Sequence, residues 1–185
     1  MASVLVPLAQ GCEELEAITI VDLLRRAGID VVTAGLDDQP VRASRGTVLI
    51  PDMILDQALA QEYDMVVLPG GLPGADHLDR DPRVIGLLRQ MADAGKYTAA
   101  ICAAPKVLAH SGLLEGKRAT CYPGSMDPDS VPGMEYSEEP VVTDGKVITS
   151  RGPGTAMDFA LQLIETLAGE QMRAQVEAGL QRPAL

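Results

Sequence analysis

The chain has 185 residues, 46% of them hydrophobic and 22% charged, which supplies a core for one domain and argues against disorder. Fifteen Lys and Arg stand against 26 Asp and Glu, a net charge of −11. That balance excludes a basic nucleic-acid or anionic-membrane footprint and favours solubility.

Ser3–Ala9 is a short apolar run rich in β-branched residues. It predicts a first strand, ended by the turn signal Gln10-Gly11. Glu13–Ala27 places Leu15, Ile18, Val21 and Leu24 at helical spacing. Glu13, Glu14 and Glu16 sit in its first turns, Arg25 and Arg26 in its last, and Gly28 stops it, so the charges match the helix dipole at both ends. Ile29–Leu36 predicts the next strand, and Val41–Ser44 with Thr47–Ile50 a hairpin around Arg45-Gly46. Ile54–Gln61 reads as a short helix. Asp64–Leu68 reads as a strand that stops at Pro69-Gly70-Gly71, with a loop running on through His77. Pro82–Ala94 has proline at its start and Gly95 past its end, the asymmetry of a helix. Tyr97–Ile101 is an apolar strand, and Ala103–Ser111 the helix after it. Tyr122–Pro140, rich in proline, glycine and acids, predicts a long loop. Val141–Val142 and Val147–Ser150 flank Asp144-Gly145 as a hairpin. After Gly152-Pro153-Gly154 come an amphipathic helix, Thr155–Ala168, and a last short one, Gln171–Gly179.

Strands that are apolar throughout and alternate with helices predict a parallel sheet covered on both faces, an α/β doubly wound domain spanning residues 1–185. Ligands then bind beyond the carboxyl ends of the strands. Three such ends matter: Ala9 into Gln10–Glu16, Leu68 into Pro69–Gly74, and Ile101 into Cys102–Pro105. No apolar run is long enough to span a bilayer, and no basic leader precedes the first strand, so a cytoplasmic location is expected. Three separated cysteines without a CxxC form neither a disulfide framework nor a zinc site. Two histidines leave little for a metal centre, and the absence of Trp with one Phe disfavours a base-stacking platform.

Cys102 stands directly between a strand and a helix, the setting of a nucleophile elbow. Free helix amides and the dipole there predict a thiol below its ordinary value, with the Ala103 amide as an oxyanion donor. A small buried hydrophobe is the competing reading. Gly70-Gly71 lets backbone approach a ligand, or simply makes a tight turn before Pro73; Gly71 becomes a second donor if it lies beside Cys102. Glu13, Glu14 and Glu16 read first as solvated acids at a helix start. Glu16, between Leu15 and Ala17, can instead point over the strand ends, stay protonated near a sulfur and shuttle protons. A hydrolytic Cys–His pair needs a histidine in reach. His110 lies two helical turns from Cys102 and reads as a helix-end residue, while His77 stays open. Cys12 and Cys121 read as incidental, with a resolving role for Cys12 left open.

Four segments, Gly11-Cys12-Glu13-Glu14-Leu15-Glu16, Val67-Leu68-Pro69-Gly70-Gly71, Ala100-Ile101-Cys102-Ala103-Ala104-Pro105 and Thr149-Ser150-Arg151-Gly152-Pro153-Gly154-Thr155, occur in that order. Together they resemble the ThiJ/PfpI superfamily, in the branch of the Parkinson-disease protein DJ-one and its bacterial YajL-like relatives. The resemblance runs from Ser3 to the last helix. It implies a flavodoxin-like homodimer with no metal and no organic cofactor. It puts the reactive cysteine at Cys102, the protonated glutamate at Glu16, and oxyanion amides at Gly71 and Ala103. It also implies that the first helix packs on its twin, that Arg26 reaches the partner's site, and that Arg45 and Pro153 fall at the interface. Tyr122 stands where some members carry a histidine near the site. Ala103 stands where the proteases carry theirs, which disfavours a peptidase.

Two functions follow from the resemblance. One is detoxification of α-oxoaldehydes such as methylglyoxal and glyoxal, or of their early protein adducts, in the manner of glyoxalase III or a protein deglycase. Its partners are a small reactive carbonyl or a glycated protein, with no nucleic acid and no membrane. The alternative is a non-enzymatic oxidative-stress sensor or redox-regulated chaperone acting through Cys102 sulfinate.

Overall fold

The computed structural model describes residues 1–182. Its strands and helices alternate as β1 (Ser3–Leu8), α1 (Glu14–Arg26), β2 (Asp30–Gly35), β3 (Val41–Arg42), β4 (Val48–Leu49), β5 (Met53–Ile54), α2 (Leu55–Ala58) and β6 (Met65–Leu68). They continue as α3 (Gly74–Arg80), α4 (Pro82–Asp93), β7 (Tyr97–Ile101), α5 (Pro105–His110), β8 (Arg118–Ala119), β9 (Glu135–Tyr136), β10 (Val141–Asp144) and β11 (Val147–Ser150). Helices α6 (Ala156–Ala168) and α7 (Glu170–Gly179) follow.

Seven strands form one sheet in the order β10-β11-β7-β6-β1-β2-β5. All neighbours are parallel except the β10–β11 hairpin. The chain moves one way from β1 to β2 and the other way from β6 to β7. Right-handed crossovers therefore put α1 and α4 on opposite faces, which is the doubly wound, flavodoxin-like arrangement. With both faces covered, β1, β6 and β7 bury nearly every residue, which is why they read as continuous apolar runs. Leu5, Ile20, Leu24, Leu68, Ile101 and Phe159 are among the fully buried side chains. Register then sets the site. Leu5 faces Val66 across β1 and β6, Leu68 faces Ala100 across β6 and β7, and Ile101 faces Ser150 across β7 and β11.

Four local expectations are corrected. His77 lies in helix α3 rather than a loop. The helix starts at once after Pro73, and its apolar face is only Ala75 and Leu78, too short a pattern for periodicity to reveal. The helix expected over Ile54–Gln61 shrinks to α2, because Met53 and Ile54 pair with Ala34 and Gly35 as an edge strand. The helix expected from Ala103 begins at Pro105, since residues 102–104 form the turn. Within 122–140 the chain makes a 3-10 turn at Pro128–Ser130 and the strand β9, which pairs with β8. Among the described residues no helix is long and apolar enough to cross a membrane.

Candidate active site

Cys102 follows β7 with φ of +64°, in the left-handed region that non-glycine residues rarely occupy. Its backbone is held from both sides. The N–H donates to the Ser150 carbonyl at 3.0 Å, and the carbonyl accepts from the Tyr122 N–H at 2.8 Å and from the Ser125 hydroxyl at 3.4 Å. These bonds over-determine a strained residue, the usual condition for keeping one at a functional site. The residue is 7% exposed, and the amides of Gly71 and Ala103 donate toward its sulfur. Gly71 has φ of +89°. A Cβ there would lie 2.4 Å from the Glu13 nitrogen, so only glycine allows this approach.

Glu16 meets the sulfur from α1. The Glu13 carboxylate accepts from the Glu16 N–H at 2.8 Å and caps the helix, which fixes the turn that aims Glu16 inward. Glu16 is fully buried. Its Oε2 accepts from the Gly70 N–H at 2.8 Å, while its Oε1 is buried without a nitrogen or oxygen partner and the carboxyl interacts with the Cys102 thiol. Burial pushes the Glu16 carboxyl up to about 7, against the Gly70 amide and the Cys102 thiol, with the Glu13 charge adding to the rise.

The thiol departs from expectation. Burial pushes Cys102 up to about 12, the Glu16 charge and hydrogen bond add to this, and the Gly71 and Ala103 amides only partly oppose it. The sequence predicted a thiol below its ordinary value because it showed the amides and hid the desolvation. Protonating Glu16 removes both of its contributions and leaves burial against two amides. The two groups thus depend on each other: the Glu16 charge raises the thiol, and the thiol hydrogen bond opposes the rise of Glu16.

The sequence model of the DJ-1/PfpI family matches residues 2–166. The chain belongs to the DJ-1/PfpI family. It is 48% identical over 180 residues to protein dj-1beta of Drosophila melanogaster, covering 96% of each chain. It is 37% identical over 170 residues to the glutathione-independent glyoxalase DJR-1.2 of Caenorhabditis elegans, covering 92% of this chain and 90% of that one. The crystal structure of Drosophila melanogaster DJ-1beta superposes with a TM-score of 0.93 at 46% identity over 99% of both chains. Toxoplasma gondii DJ-1, in a structure described as oxidized, gives 0.92 at 38% over the whole of each.

In this DJ-1/PfpI chain the structure brings Cys102, Glu16, Gly71 and Ala103 together as the sequence reading grouped them. Tyr122 borders the group: its amide holds the Cys102 carbonyl, and its half-exposed ring lies over Gly152, where a Cβ would come within 3.2 Å of it. Pro153 opens the 3-10 turn directly after Gly152. Arg45 sits at the exposed tip between β3 and β4, where its amide donates to Glu14 at 3.0 Å. Against its own desolvation, Glu14 is held down to about 2 by its own amide, the Arg45 and Thr47 amides and the Ser44 hydroxyl, so it ties that hairpin to the start of α1. Arg26 is exposed at the far end of α1, paired with Asp22 at 2.7 Å, and is not brought to its own chain's Cys102.

Gly70 is the DJ-1/PfpI site residue whose role the sequence reading missed. A Cβ there would fall 2.7 Å from the Cys102 Cβ and 2.9 Å from Glu16 Oε2, so its bareness is what lets the acid and the thiol meet. The Gly-Gly pair pointed to the segment, but not to which glycine did what. His77 is exposed on α3, and His110 Nδ1 lies 3.1 Å from Asp79; among the described residues neither bonds to Cys102. Cys12 is buried and pushed up to about 12, by burial and then the Glu14 and Glu13 charges, and burial also raises Cys121. Among the described residues no three His, Cys, Asp or Glu side chains converge as a metal-binding group.

Proposed function

We propose that the protein is a cofactor-free, glutathione-independent glyoxalase acting on α-oxoaldehydes such as methylglyoxal and glyoxal, or on their early protein adducts. One observation carries the reading: a fully buried carboxyl poised at about 7, set against a cysteine whose sulfur faces two backbone amides. The relative named a glutathione-independent glyoxalase supports it.

The thiol adds to the aldehyde carbon, and a C–S bond forms as the thiol proton passes to Glu16. The carbonyl oxygen becomes an oxyanion facing the Gly71 and Ala103 amides and is then protonated to a hemithioacetal. Glu16, again ionised, removes the proton from C1 and returns one to C2, which gives a thioester of the hydroxy acid. Water hydrolyses the thioester, releasing the hydroxy acid and restoring the thiol. Atoms balance with water as the only co-reactant. A carboxyl near 7 suits both directions of transfer.

The acceptors are small carbonyls or glycated proteins, and the cytoplasm is the compartment where a reactive free thiol persists. The working unit is a homodimer. Leu15 and Ile18 are about half exposed on one side of α1, an apolar strip that supports a helix-to-helix contact between copies, with Arg26 reaching the partner's site in that assembly.

A second reading has its own support. A protonated Glu16 donates a hydrogen bond to an oxidised sulfur as readily as to an oxyanion, so the same geometry holds Cys102 sulfinate. The test of the first is lactate formation from methylglyoxal without glutathione or amine buffer. Turnover in the wild type far above Cys102→Ser, and strongly reduced in Glu16→Gln, is expected; equal lactate from wild type and Cys102→Ser excludes methylglyoxal as substrate.

A further inference from the structure

The two amides that face the Cys102 sulfur come from separate turns. Gly71 lies after β6 and leads into α3; Ala103 lies after β7 and leads into α5. The sheet aligns the strands only as far as Leu68 and Ala100. Beyond them, no backbone hydrogen bond among the described residues joins Pro69–Pro73 to Cys102–Ala104. Gly70 packs directly on Cys102, and the Glu16 carboxyl bridges the Gly70 N–H and the thiol; a tie further along the two turns adds to these, because two donors act on one atom only when both point at it.

Just past the turns, Asp76 on the first turn of α3 is ion-paired with Lys106 on the first turn of α5. Asp76 is five residues beyond Gly71, and Lys106 three beyond Ala103. Lys106 keeps only 21% of its side chain exposed. One turn further along both helices, Asp79 meets His110 at 3.1 Å. Ala75 and Leu78 on α3 and Val107 and Leu108 on α5 are buried, so two short helices share an apolar contact with charged rungs at its edge.

We propose that Asp76 and Lys106 are positioning residues, a cross-link between α3 and α5 that holds the Gly71 and Ala103 turns at the spacing at which both amides address the Cys102 sulfur. The pair touches no reacting atom. An ion pair that still reaches solvent adds little to global stability, so its value lies in where it stands. The basic side chains around Asp76 are Lys106, Arg80 and His77, and the Lys106 hydrogen bond is foremost in holding its carboxyl below the ordinary range.

The proposal rests on Cys102 being the reactive centre, but not on the identity of its substrate, so its test uses the thiol itself. The alkylation rate of Cys102 by iodoacetamide is followed against pH by peptide mass spectrometry. The proteins are wild type, Asp76→Asn, Lys106→Met, the double reversal Asp76→Lys with Lys106→Asp, and Arg173→Gln. The last breaks an ion pair of similar exposure between α7 and α6.

Displacing either amide costs the thiolate a donor. Both single variants are expected to move the profile to higher pH and to slow alkylation near neutrality by roughly threefold, the scale of a single solvent-accessible ion pair. The double reversal is expected to recover most of the loss, and Arg173→Gln to match the wild type. Asp76→Asn separates position from charge. Removing a nearby negative charge would by itself move the profile to lower pH, so an upward shift marks displacement. Superimposable profiles, a downward shift in Asp76→Asn, or an equal shift in Arg173→Gln would overturn the proposal. A shifted profile in a protein that makes no lactate would reject the glyoxalase reading and keep the pair.

Discussion

Glu16→Gln separates what the carboxyl does for chemistry from what it costs the fold. Its pKa of about 7 stands against an ordinary 4.5 in the unfolded chain. At about 1.4 kcal/mol per pH unit, that difference corresponds to about 3 kcal/mol. Below pH 4.5 both states hold the proton and no cost arises. As the pH rises from 4.5 to 7 the unfolded chain releases its proton while the folded one keeps it, so stability falls; above 7 the full cost remains. Glutamine carries no charge, and its amide oxygen still accepts from the Gly70 N–H. Urea unfolding near pH 5 should therefore give wild type and variant stabilities within about 1 kcal/mol. Near pH 8 the variant should be the more stable, by up to about 3 kcal/mol. Titrations remote from the Glu16–Cys102 pair affect both chains alike and cancel in the comparison. The variant should thus be sturdier at high pH while losing lactate formation. If the stability difference is the same at both pH values, Glu16 does not titrate as a buried carboxyl and the reasoning fails.

Gly70→Ala places a methyl 2.7 Å from the Cys102 Cβ and 2.8 Å from the Ile101 carbonyl oxygen. Neither atom can swing away, so a loss of about 1–3 kcal/mol is expected in urea, with slowed Cys102 alkylation; an unchanged midpoint would contradict the packing. Ile18→Lys puts a charge on the exposed strip of α1 and should convert a dimer to a monomer by light scattering with native circular dichroism. A wild type already monomeric, or a dimeric variant, would place the interface elsewhere. After mild peroxide, Cys102 should stop selectively at sulfinate in wild type and run on to sulfonate in Glu16→Leu; identical product distributions in the two chains would remove Glu16 from that role.

Much of the architecture was legible in the chain. Continuous apolar runs at 3–9, 64–68 and 97–101, each ended by a turn signal, predicted buried parallel strands, because a sheet covered on both faces leaves no solvent side to alternate toward. The same runs pointed to their carboxyl ends, and the ordered motifs singled out Cys102, Glu16, Gly71 and Ala103. Short elements were not legible. Helix α3 exposes too little periodicity, and β5 and β9 exist only because a partner strand lies alongside.

What the sequence by itself determined is the set of local facts: which segments repeat at helical or strand spacing, where they stop, and which reactive residues stand at the stops. Only the tertiary structure decided how those residues act on one another. Desolvation, which raises both Glu16 and the Cys102 thiol, is a property of everything packed around a group and cannot be read along a chain. The bareness of Gly70 matters only because residues 54 and 32 positions away press against it, and the Asp76–Lys106 pair exists only because two helices that leave neighbouring strands run side by side.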